Sequence, residues 1–185
     1  QTCPLPMKLP KAIHDRIRNA IRDVPDFPKP GILFKDITPV LADGQIYRLV
    51  INTLADRYAA KNVDLVAGID ARGFILGGAI AYKLSCGFIP VRKKGKLPWK
   101  CIEKSYSLEY GENTLAIHED ALKKGQNVVI IDDLLATGGT ALATAQLVEK
   151  LGGNVVEIAF LVELGFLKGR EKFGKYPLYS MVNYE

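Results

Sequence analysis

The 185-residue sequence has few of the features that membrane, secreted and zinc-binding proteins need. No apolar run reaches the roughly 18 residues that would span a bilayer, and the opening QTCPLP lacks the charged-then-apolar order of a secretory signal. The three cysteines, Cys3, Cys86 and Cys101, have no CxxC spacing. The two histidines, His14 and His118, lie far apart without metal-like neighbours. We therefore expect no membrane span, disulfide framework or zinc site, and we predict reduced thiols in the cytoplasm.

Length and composition predict one globular domain. Hydrophobic residues make up 48% of the chain and charged residues 24%, which is ordinary for a folded domain with a single core. Residues 1–6 precede the first methionine, Met7, and we interpret them as a tail outside the fold. The prediction is a single domain over residues 1–185, with a core that begins after this tail.

The positive charge of the chain is concentrated in one segment. The net charge is +5, and residues 92–104 (RKKGKLPWKCIEK) hold 6 of the 25 basic residues and 1 of the 20 acidic ones, which leaves 19 of each elsewhere. Nucleic-acid-binding proteins usually spread basic charge over a face or a stripe, so we expect no nucleic-acid partner. A local basic segment is either a solvated loop or a site for a polyanion such as a phosphorylated small molecule.

Hydrophobic periodicity predicts strands that alternate with helices. The predicted helices are 8–21, 45–60, 73–85 and 140–151, the predicted strands are 64–69, 87–91, 128–133 and 155–164, and the segment 103–118 is a predicted hairpin. Residues 24–31 (VPDFPKPG) are predicted to form a proline-rich turn. Because strands and helices alternate from residue 64 to residue 164, the predicted fold class is α/β, a mostly parallel central sheet flanked by helices.

Residues 128–140 read VVIIDDLLATGGT, a buried strand that runs into two acids and then into small residues. Asp132 and Asp133 are expected at the carboxyl end of the strand, where open α/β sheets bind ligands. Two neighbouring carboxylates suit two neighbouring hydroxyls, such as those of a ribose. Backbone N–H groups before a helix suit a phosphate, and this loop consists of Ala136, Thr137, Gly138, Gly139 and Thr140. The stretch therefore predicts a sugar-phosphate site, and the alternative is a plain capped turn with solvated aspartates.

This stretch resembles the binding motif for phosphoribosyl pyrophosphate (PRPP) in the type I phosphoribosyltransferases. Other segments are similar to the adenine-specific members of that family, namely FPKPGILFKDITPVL (27–41), GIDARGF (68–74), VRKKGKLP (91–98), SYSLEYG (105–111) and VELGFLKGREK (162–172). The resemblance covers residues 20–185. It implies the type I phosphoribosyltransferase fold, with a mobile β-hairpin lid at residues 95–115.

The resemblance also implies a reaction and its partners. The family transfers ribose 5-phosphate from PRPP to adenine and so makes AMP and pyrophosphate, a step of purine salvage. Mg²⁺ is the implied cofactor, held mainly through PRPP, pyrophosphate and water rather than directly by the protein, and a homodimer is the implied assembly. The alternatives are an enzyme for hypoxanthine/guanine, xanthine or orotate, a PRPP-sensing regulator without catalysis, and a protein with a vestigial site.

Site residues follow from the same resemblance for the sugar and the phosphates. Asp132 and Asp133 would hold the ribose hydroxyls, the loop of residues 136–140 would hold the 5′-phosphate, and Arg72 and Lys96 would hold the pyrophosphate. The loop DARG (70–73) often contains a non-proline cis peptide in this family, and its Gly73 lets the backbone come close.

Catalytic and base-binding residues are implied as well. Glu109 would be the general acid or base, and Tyr110 would cover the ribose and the pyrophosphate. Adenine would be bound by Leu33, Phe34 and Lys35, through main-chain groups at Leu33 and Lys35, with Phe34 and Leu134 or Leu135 as apolar walls. The chain departs from the family pattern at Ala71, where a serine is common, and at Trp99, where a small residue is frequent.

Overall fold

The computed structural model describes residues 9–107 and 111–185. By its internal contacts the chain divides into two compact units, one ending at Val50 and the other beginning at Ile51. The tail of residues 1–6 and the predicted catalytic residues Glu109 and Tyr110 lie outside the described residues. The single domain over the whole chain stays a prediction.

The first unit combines helices with a small sheet. It contains helix α1 (Lys11–Ala20), strand β1 (Arg22–Pro25), strand β2 (Leu33–Asp36), helix α2 (Thr38–Ala42) and the start of helix α3 (Gly44–Tyr58). β1 and β2 pair antiparallel, with Val24 opposite Phe34. The sequence predicted α1, α3 and a proline-rich turn, but it missed β1, β2 and α2, because elements of four or five residues are too short to show a period.

The second unit is built on one seven-stranded sheet. Its elements are β3 (Leu65–Ile69), α4 (Arg72–Leu84), β4 (Gly87–Lys93), β5 (Cys101–Ser107), β6 (Glu112–His118), β7 (Asn127–Leu135), α5 (Gly139–Lys150), β8 (Asn154–Leu164) and β9 (Leu178–Tyr184), with 3-10 helices at Gly165–Leu167 and Gly169–Phe173. The strand order is β5-β6-β4-β3-β7-β8-β9. The neighbours from β4 through β3, β7 and β8 to β9 pair parallel, whereas β6 pairs antiparallel with both β4 and β5. This confirms the mostly parallel α/β sheet, whereas β9 was not predicted.

Helices cover both faces of this sheet because successive side chains of a strand point to opposite sides. Ala67 of β3 packs in one buried cluster with Leu147 of α5. On the other side, α4 lies so close that a Cβ at Gly77 would come within 3.4 Å of Val66 and 3.0 Å of the Phe88 ring. No helix in the part of the chain that the structure describes is long and apolar enough to cross a membrane.

A buried ion pair joins the end of α3 to β8. The guanidinium of Arg57 donates two hydrogen bonds to the Glu157 carboxylate, at 2.7 and 2.8 Å, and the hydroxyl of Tyr58 donates a third at 2.7 Å. The same guanidinium lies 3.8 Å from the centre of the Tyr179 ring. Burial acts to raise the pKa of Glu157, but the hydrogen bonds from Arg57 and Tyr58 outweigh it, so the pKa is lowered. The carboxylate therefore stays ionised and holds α3 to the sheet.

Candidate active site

Strand β7 carries the acid pair further inside the sheet than the sequence predicted. The strand continues to Leu135 instead of ending at Asp133, because β8 runs alongside and pairs with it as far as Glu163. Asp133 is only 7% exposed, and the prediction that the strand ends at this residue was wrong.

The acid pair contacts the predicted pyrophosphate arginine. Arg72, the first residue of α4, forms an ion pair through its Nε with the Asp133 carboxylate. The backbone N–H of Asp133 donates to Oδ1 of Asp132 at 2.8 Å. Burial first, and then the negative charge of Asp133, raises the pKa of Asp132 well above its ordinary value. Arg72 of the loop DARG and the acid pair of the strand, which were predicted from two separate motifs, thus lie together through Asp133.

The loop of residues 136–140 connects β7 to the N-terminus of α5. Gly138 caps that helix with a φ of 86°, in the left-handed region that favours glycine. A cavity of about 80 Å³ is lined by the whole loop together with Asp132, Leu134, Leu135, Ala141 and Phe160. Free backbone N–H groups and the positive end of the helix dipole give this cavity an affinity for anions such as phosphate.

A later segment of the chain supports this loop from behind. A Cβ at Gly169 would lie 2.2 Å from the carbonyl oxygen of Ala136, and a Cβ at Gly138 would lie 2.7 Å from the Phe173 ring. Phe173 is buried and packs edge-on against Phe160 with ring centres 6.5 Å apart. The sequence analysis assigned no role to Gly169 or Phe173. The one feature of the sequence that drew attention to this segment was the similarity of residues 162–172 to the family.

Tyr106 of β5 is a further contact that sequence reasoning missed. Its hydroxyl lies 2.9 Å from Oγ1 of Thr140. Its ring covers the backbone at Gly139, where an added Cβ would come within 2.8 Å of Cδ2 of the ring. The alternating pattern of residues 103–118 predicted the hairpin but could not show which residue reaches the loop.

The loop of residues 70–73 lies against β7. The peptide bond between Asp70 and Ala71 is cis, as the resemblance implies. A Cβ at Gly73 would lie 2.9 Å from the carbonyl oxygen of Ile131 and 3.2 Å from Oδ1 of Asp132. Only a glycine allows this approach between the loop and β7.

Arg92 links the loop of residues 70–73 to the basic segment. Its Nε donates to Oδ2 of Asp70 at 2.9 Å, and its Nη1 donates to the main-chain carbonyl of Lys96 at 3.0 Å. The side chain of Lys96 is exposed, and Trp99 is 61% exposed. The basic segment therefore begins beside the predicted pyrophosphate loop.

The predicted adenine-binding residues lie together in β2 of the first unit. Leu33 is exposed, and the Phe34 ring makes an edge contact with Phe27 at 5.2 Å between centres. Lys35 forms an ion pair with Asp23. Their contact with adenine stays a prediction, as do the roles of Glu109 and Tyr110.

Leu134 and Leu135, the other candidate walls for adenine, have different surroundings. Leu135 is buried in the core cluster of the sheet, whereas Leu134 is partly exposed. Both border the cavity of the loop. Leu134 is therefore the better placed of the two to meet a ligand.

Metal ligands and thiols are sparse within residues 9–107 and 111–185. In these ranges no group of three or more His, Cys, Asp or Glu side chains is arranged to hold a metal ion. Cys86 and Cys101 are free thiols. Among the described side chains, the acid pair on β7 thus offers carboxylate oxygens beside the cavity without forming a complete cation site.

Comparison with known proteins gives consistent matches over nearly the whole chain. The family model for the phosphoribosyl transferase domain matches residues 38–182. Adenine phosphoribosyltransferase from Methylacidiphilum infernorum is 53% identical over 170 residues, which are 92% of this chain and 95% of that protein.

Solved structures agree with these matches. The crystal structure of adenine phosphoribosyltransferase from Thermoanaerobacter pseudethanolicus has a TM-score of 0.89 and 51% identity, and the match covers 92% of this chain and 99% of the other. The Saccharomyces cerevisiae enzyme, complexed with D-2,5-dideoxy-2,5-imino-altritol 1,6-bisphosphate and adenine, has a TM-score of 0.88 and 37% identity over 92% of this chain and 99% of the other.

Proposed function

The chain belongs to the adenine phosphoribosyltransferases of the phosphoribosyl transferase family, and we propose that it makes AMP and pyrophosphate from adenine and PRPP. The observation that carries this proposal is the meeting of Arg72, the acid pair and a helix-N-terminal loop around one edge of the sheet. Within a cell this reaction recovers free adenine as a nucleotide, which is purine salvage. The cytoplasm is the proposed compartment.

PRPP would bind along this edge through its three parts. The loop of residues 136–140 holds the 5′-phosphate with backbone N–H groups and the hydroxyls of Thr137 and Thr140. Asp132 and Asp133 accept hydrogen bonds from the ribose hydroxyls. Arg72 and Lys96 hold the pyrophosphate, and the contact of Arg72 with Asp133 supports placing pyrophosphate and ribose side by side.

Bond breaking then needs electrostatic support more than covalent help from the protein. The bond between C1′ and the pyrophosphate oxygen breaks with its electron pair while a bond forms between C1′ and N9 of adenine. Positive charge that develops on the sugar is stabilised by the neighbouring carboxylates, and negative charge on the leaving pyrophosphate by Arg72 and Lys96. Glu109 is the proposed acceptor of the N9 proton, and Tyr110 the proposed cover of the ribose and pyrophosphate.

Adenine would be held by the segment around β2. Main-chain groups of Leu33 and Lys35 match the hydrogen-bonding edge of the base, and Phe34 supplies an apolar face. Support comes from the resemblance of residues 27–41 and from the adenine bound in the yeast relative. Because the Lys35 side chain pairs with Asp23, we propose that the main-chain groups at this position bind the base.

Magnesium and a second subunit complete the proposal. Mg²⁺ prefers oxygen ligands and usually keeps water and substrate phosphates in its shell. The carboxylates of Asp132 and Asp133 beside the proposed PRPP position fit such a partly protein-bound ion. When bound, the ion neutralises charge on the departing pyrophosphate. The proposed assembly is a homodimer.

The test is release of pyrophosphate from PRPP with Mg²⁺ and one base at a time. We expect turnover with adenine and far less with hypoxanthine, guanine, xanthine or orotate. Omitting Mg²⁺ should stop the reaction. Activity on hypoxanthine with none on adenine would overturn the proposal, and binding of PRPP without turnover of any base would favour a sensor.

A further inference from the structure

The hydroxyls of Tyr106 and Thr140 form a hydrogen-bonded pair at the edge of the phosphate loop. The oxygens lie 2.9 Å apart, and at this distance either oxygen could be the donor. Thr140 lines the cavity of the loop, while Tyr106 comes from β5, the edge strand of the same sheet that contains the loop's own strand β7. The direction of this one hydrogen bond decides what Thr140 can offer to a ligand.

A hydroxyl has only one proton, so Thr140 cannot donate to Tyr106 and to a phosphate oxygen at once. If Thr140 donates to Tyr106, it can only accept on the side of the cavity, where an anion brings no proton. If Tyr106 donates, the Thr140 proton is free to point into the cavity. A phenol is more acidic than an aliphatic alcohol and is the better donor of the two, so both the intrinsic chemistry and an anionic ligand favour the second arrangement.

We propose that Tyr106 is a positioning residue that donates its proton to Thr140 and so directs the Thr140 proton to the 5′-phosphate of PRPP. This inference rests on the proposed function, because it assigns the loop to that phosphate. Tyr106 does not touch the reacting atoms, and it acts through the orientation of Thr140.

The ring of Tyr106 fixes the geometry that this role needs. It lies against Gly139, where a side chain would come within 2.8 Å of the ring, so the glycine allows the tyrosine to reach the helix start. The strand that carries Tyr106 pairs with β6 along its length, with Tyr106 opposite Asn113. Hydroxyl and ring are thus held by separate contacts, and removal of the oxygen alone leaves the packing of the ring in place.

The test is Tyr106→Phe, with Tyr176→Phe as the matched control. The Tyr176 hydroxyl also makes one side-chain hydrogen bond, to Glu149 at 2.8 Å, but at the other end of α5. For Tyr106→Phe we expect KM for PRPP to rise about three- to tenfold, and inhibition by AMP to weaken by a similar factor. KM for adenine and inhibition by pyrophosphate should change less than about twofold, because neither molecule carries the 5′-phosphate. The control should match the wild type in all four.

A double-mutant cycle tests the route through Thr140. In a Thr140→Val background, Tyr106→Phe should have no further effect on KM for PRPP, because the proton it directs is already gone. An equal effect in both backgrounds would overturn the proposal. An unchanged or lowered KM for PRPP in Tyr106→Phe would also overturn it, since that result means that Thr140 is the donor. The same holds if the variant weakens the binding of adenine and pyrophosphate as much as that of PRPP.

Direct binding separates this inference from the proposed function. Wild-type protein that makes no AMP from adenine would refute the function. Calorimetric titration with ribose 5-phosphate would still test the hydroxyl pair: weaker binding to Tyr106→Phe than to Tyr176→Phe supports it, and equal binding to both refutes it.

Discussion

At the scale of single residues, the two neighbouring aspartates of β7 have different surroundings. Asp133 is buried and paired with Arg72. For Asp132, burial together with the charge of Asp133 raises the pKa, and the charge of Arg72 opposes this only in part. A charged Asp132 therefore costs the folded state free energy, which is consistent with a site built to receive hydroxyl donors rather than to maximise stability.

Asp132→Asn should consequently stabilise the fold while it damages the enzyme. A carboxyl group with a raised folded pKa binds more protons in the folded state, so stability falls as pH rises from its ordinary pKa through the raised one. The amide removes that loss and keeps an acceptor for the N–H of Asp133. We expect the free energy of unfolding at pH 7 to rise by about 1 kcal/mol and kcat/KM for PRPP to fall at least about tenfold.

Urea unfolding and steady-state kinetics of the same samples check this prediction. The stability gain should shrink as the pH approaches the ordinary aspartate value of about 4. Asp120→Asn is the control, because Asp120 is exposed and should change neither quantity. A variant that is fully active would show that Asp132 does not hold the ribose.

Gly169→Ala should disturb the phosphate loop from behind. The new Cβ would collide with the carbonyl oxygen of Ala136, a backbone atom that cannot rotate away. We expect the free energy of unfolding to fall by about 1–3 kcal/mol and KM for PRPP to rise. Gly44→Ala is the control, because nothing lies within 4 Å of a Cβ there. Equal behaviour of the two variants would mean that the support is not needed.

At the scale of elements, the Glu157 cluster joins the end of α3 to β8 by three hydrogen bonds. Its lowered folded pKa means that its stabilisation is present above the ordinary glutamate pKa and is lost as pH falls through the folded value. Glu157→Gln should therefore lower the free energy of unfolding by about 2–3 kcal/mol at pH 7, because the partly buried Arg57 is left without its charged partner.

The comparison that isolates burial is Glu149→Gln. Glu149 pairs with Lys175 on the surface, and its loss should cost less than about 1 kcal/mol. Urea unfolding at pH 7 and near pH 3 should show the difference between wild type and Glu157→Gln shrinking in acid. A difference that is independent of pH would mean that the charge of Glu157 is not what stabilises α3.

Elements were predictable where the chain repeats a pattern over enough residues. Strands and helices from Leu65 to Leu164 follow from hydrophobic runs and breakers, and the loop of residues 136–140 follows from its composition. β9 was missed because it comes after two 3-10 turns and mixes polar with apolar residues. The contacts of Arg72 with Asp133 and of Tyr106 with Thr140 could not be predicted, since they join residues whose distance depends on the finished sheet.

At the scale of the whole molecule, the net charge has one location. Residues 92–104 account for the entire +5, and Arg92 connects their start to Asp70 of the loop that is proposed to bind pyrophosphate. A polyanionic substrate is therefore drawn toward one edge of an otherwise neutral protein, and salt weakens such attraction over a Debye length of about 10 Å at 0.1 M.

Raising the ionic strength should thus raise KM for PRPP several-fold and leave KM for adenine nearly constant. Lys93→Gln should reduce this salt dependence, because Lys93 is an exposed member of the basic segment. Lys123→Gln, an exposed lysine outside it, should not. Initial rates at about 0.05 and 0.3 M salt give the salt dependence of KM for both substrates in the wild type and in each variant. We expect a weaker salt dependence than in the wild type only for PRPP in Lys93→Gln. An equal salt effect on both substrates would rule out steering by this segment.

The support of the phosphate loop by Gly169 and Phe173 also has a consequence for translation. The loop leaves the ribosome first, followed by α5 and β8, and only then by the two residues on which it rests. We expect a nascent chain that has reached β8 to carry the binding sequence without the contacts of Gly169 and Phe173 that support the loop. Because β8 pairs parallel with β7, and β9 with β8, the sheet can add these strands in the order of their synthesis. We expect affinity for the substrate to develop only when the segment between β8 and β9, which contains Gly169 and Phe173, has been made.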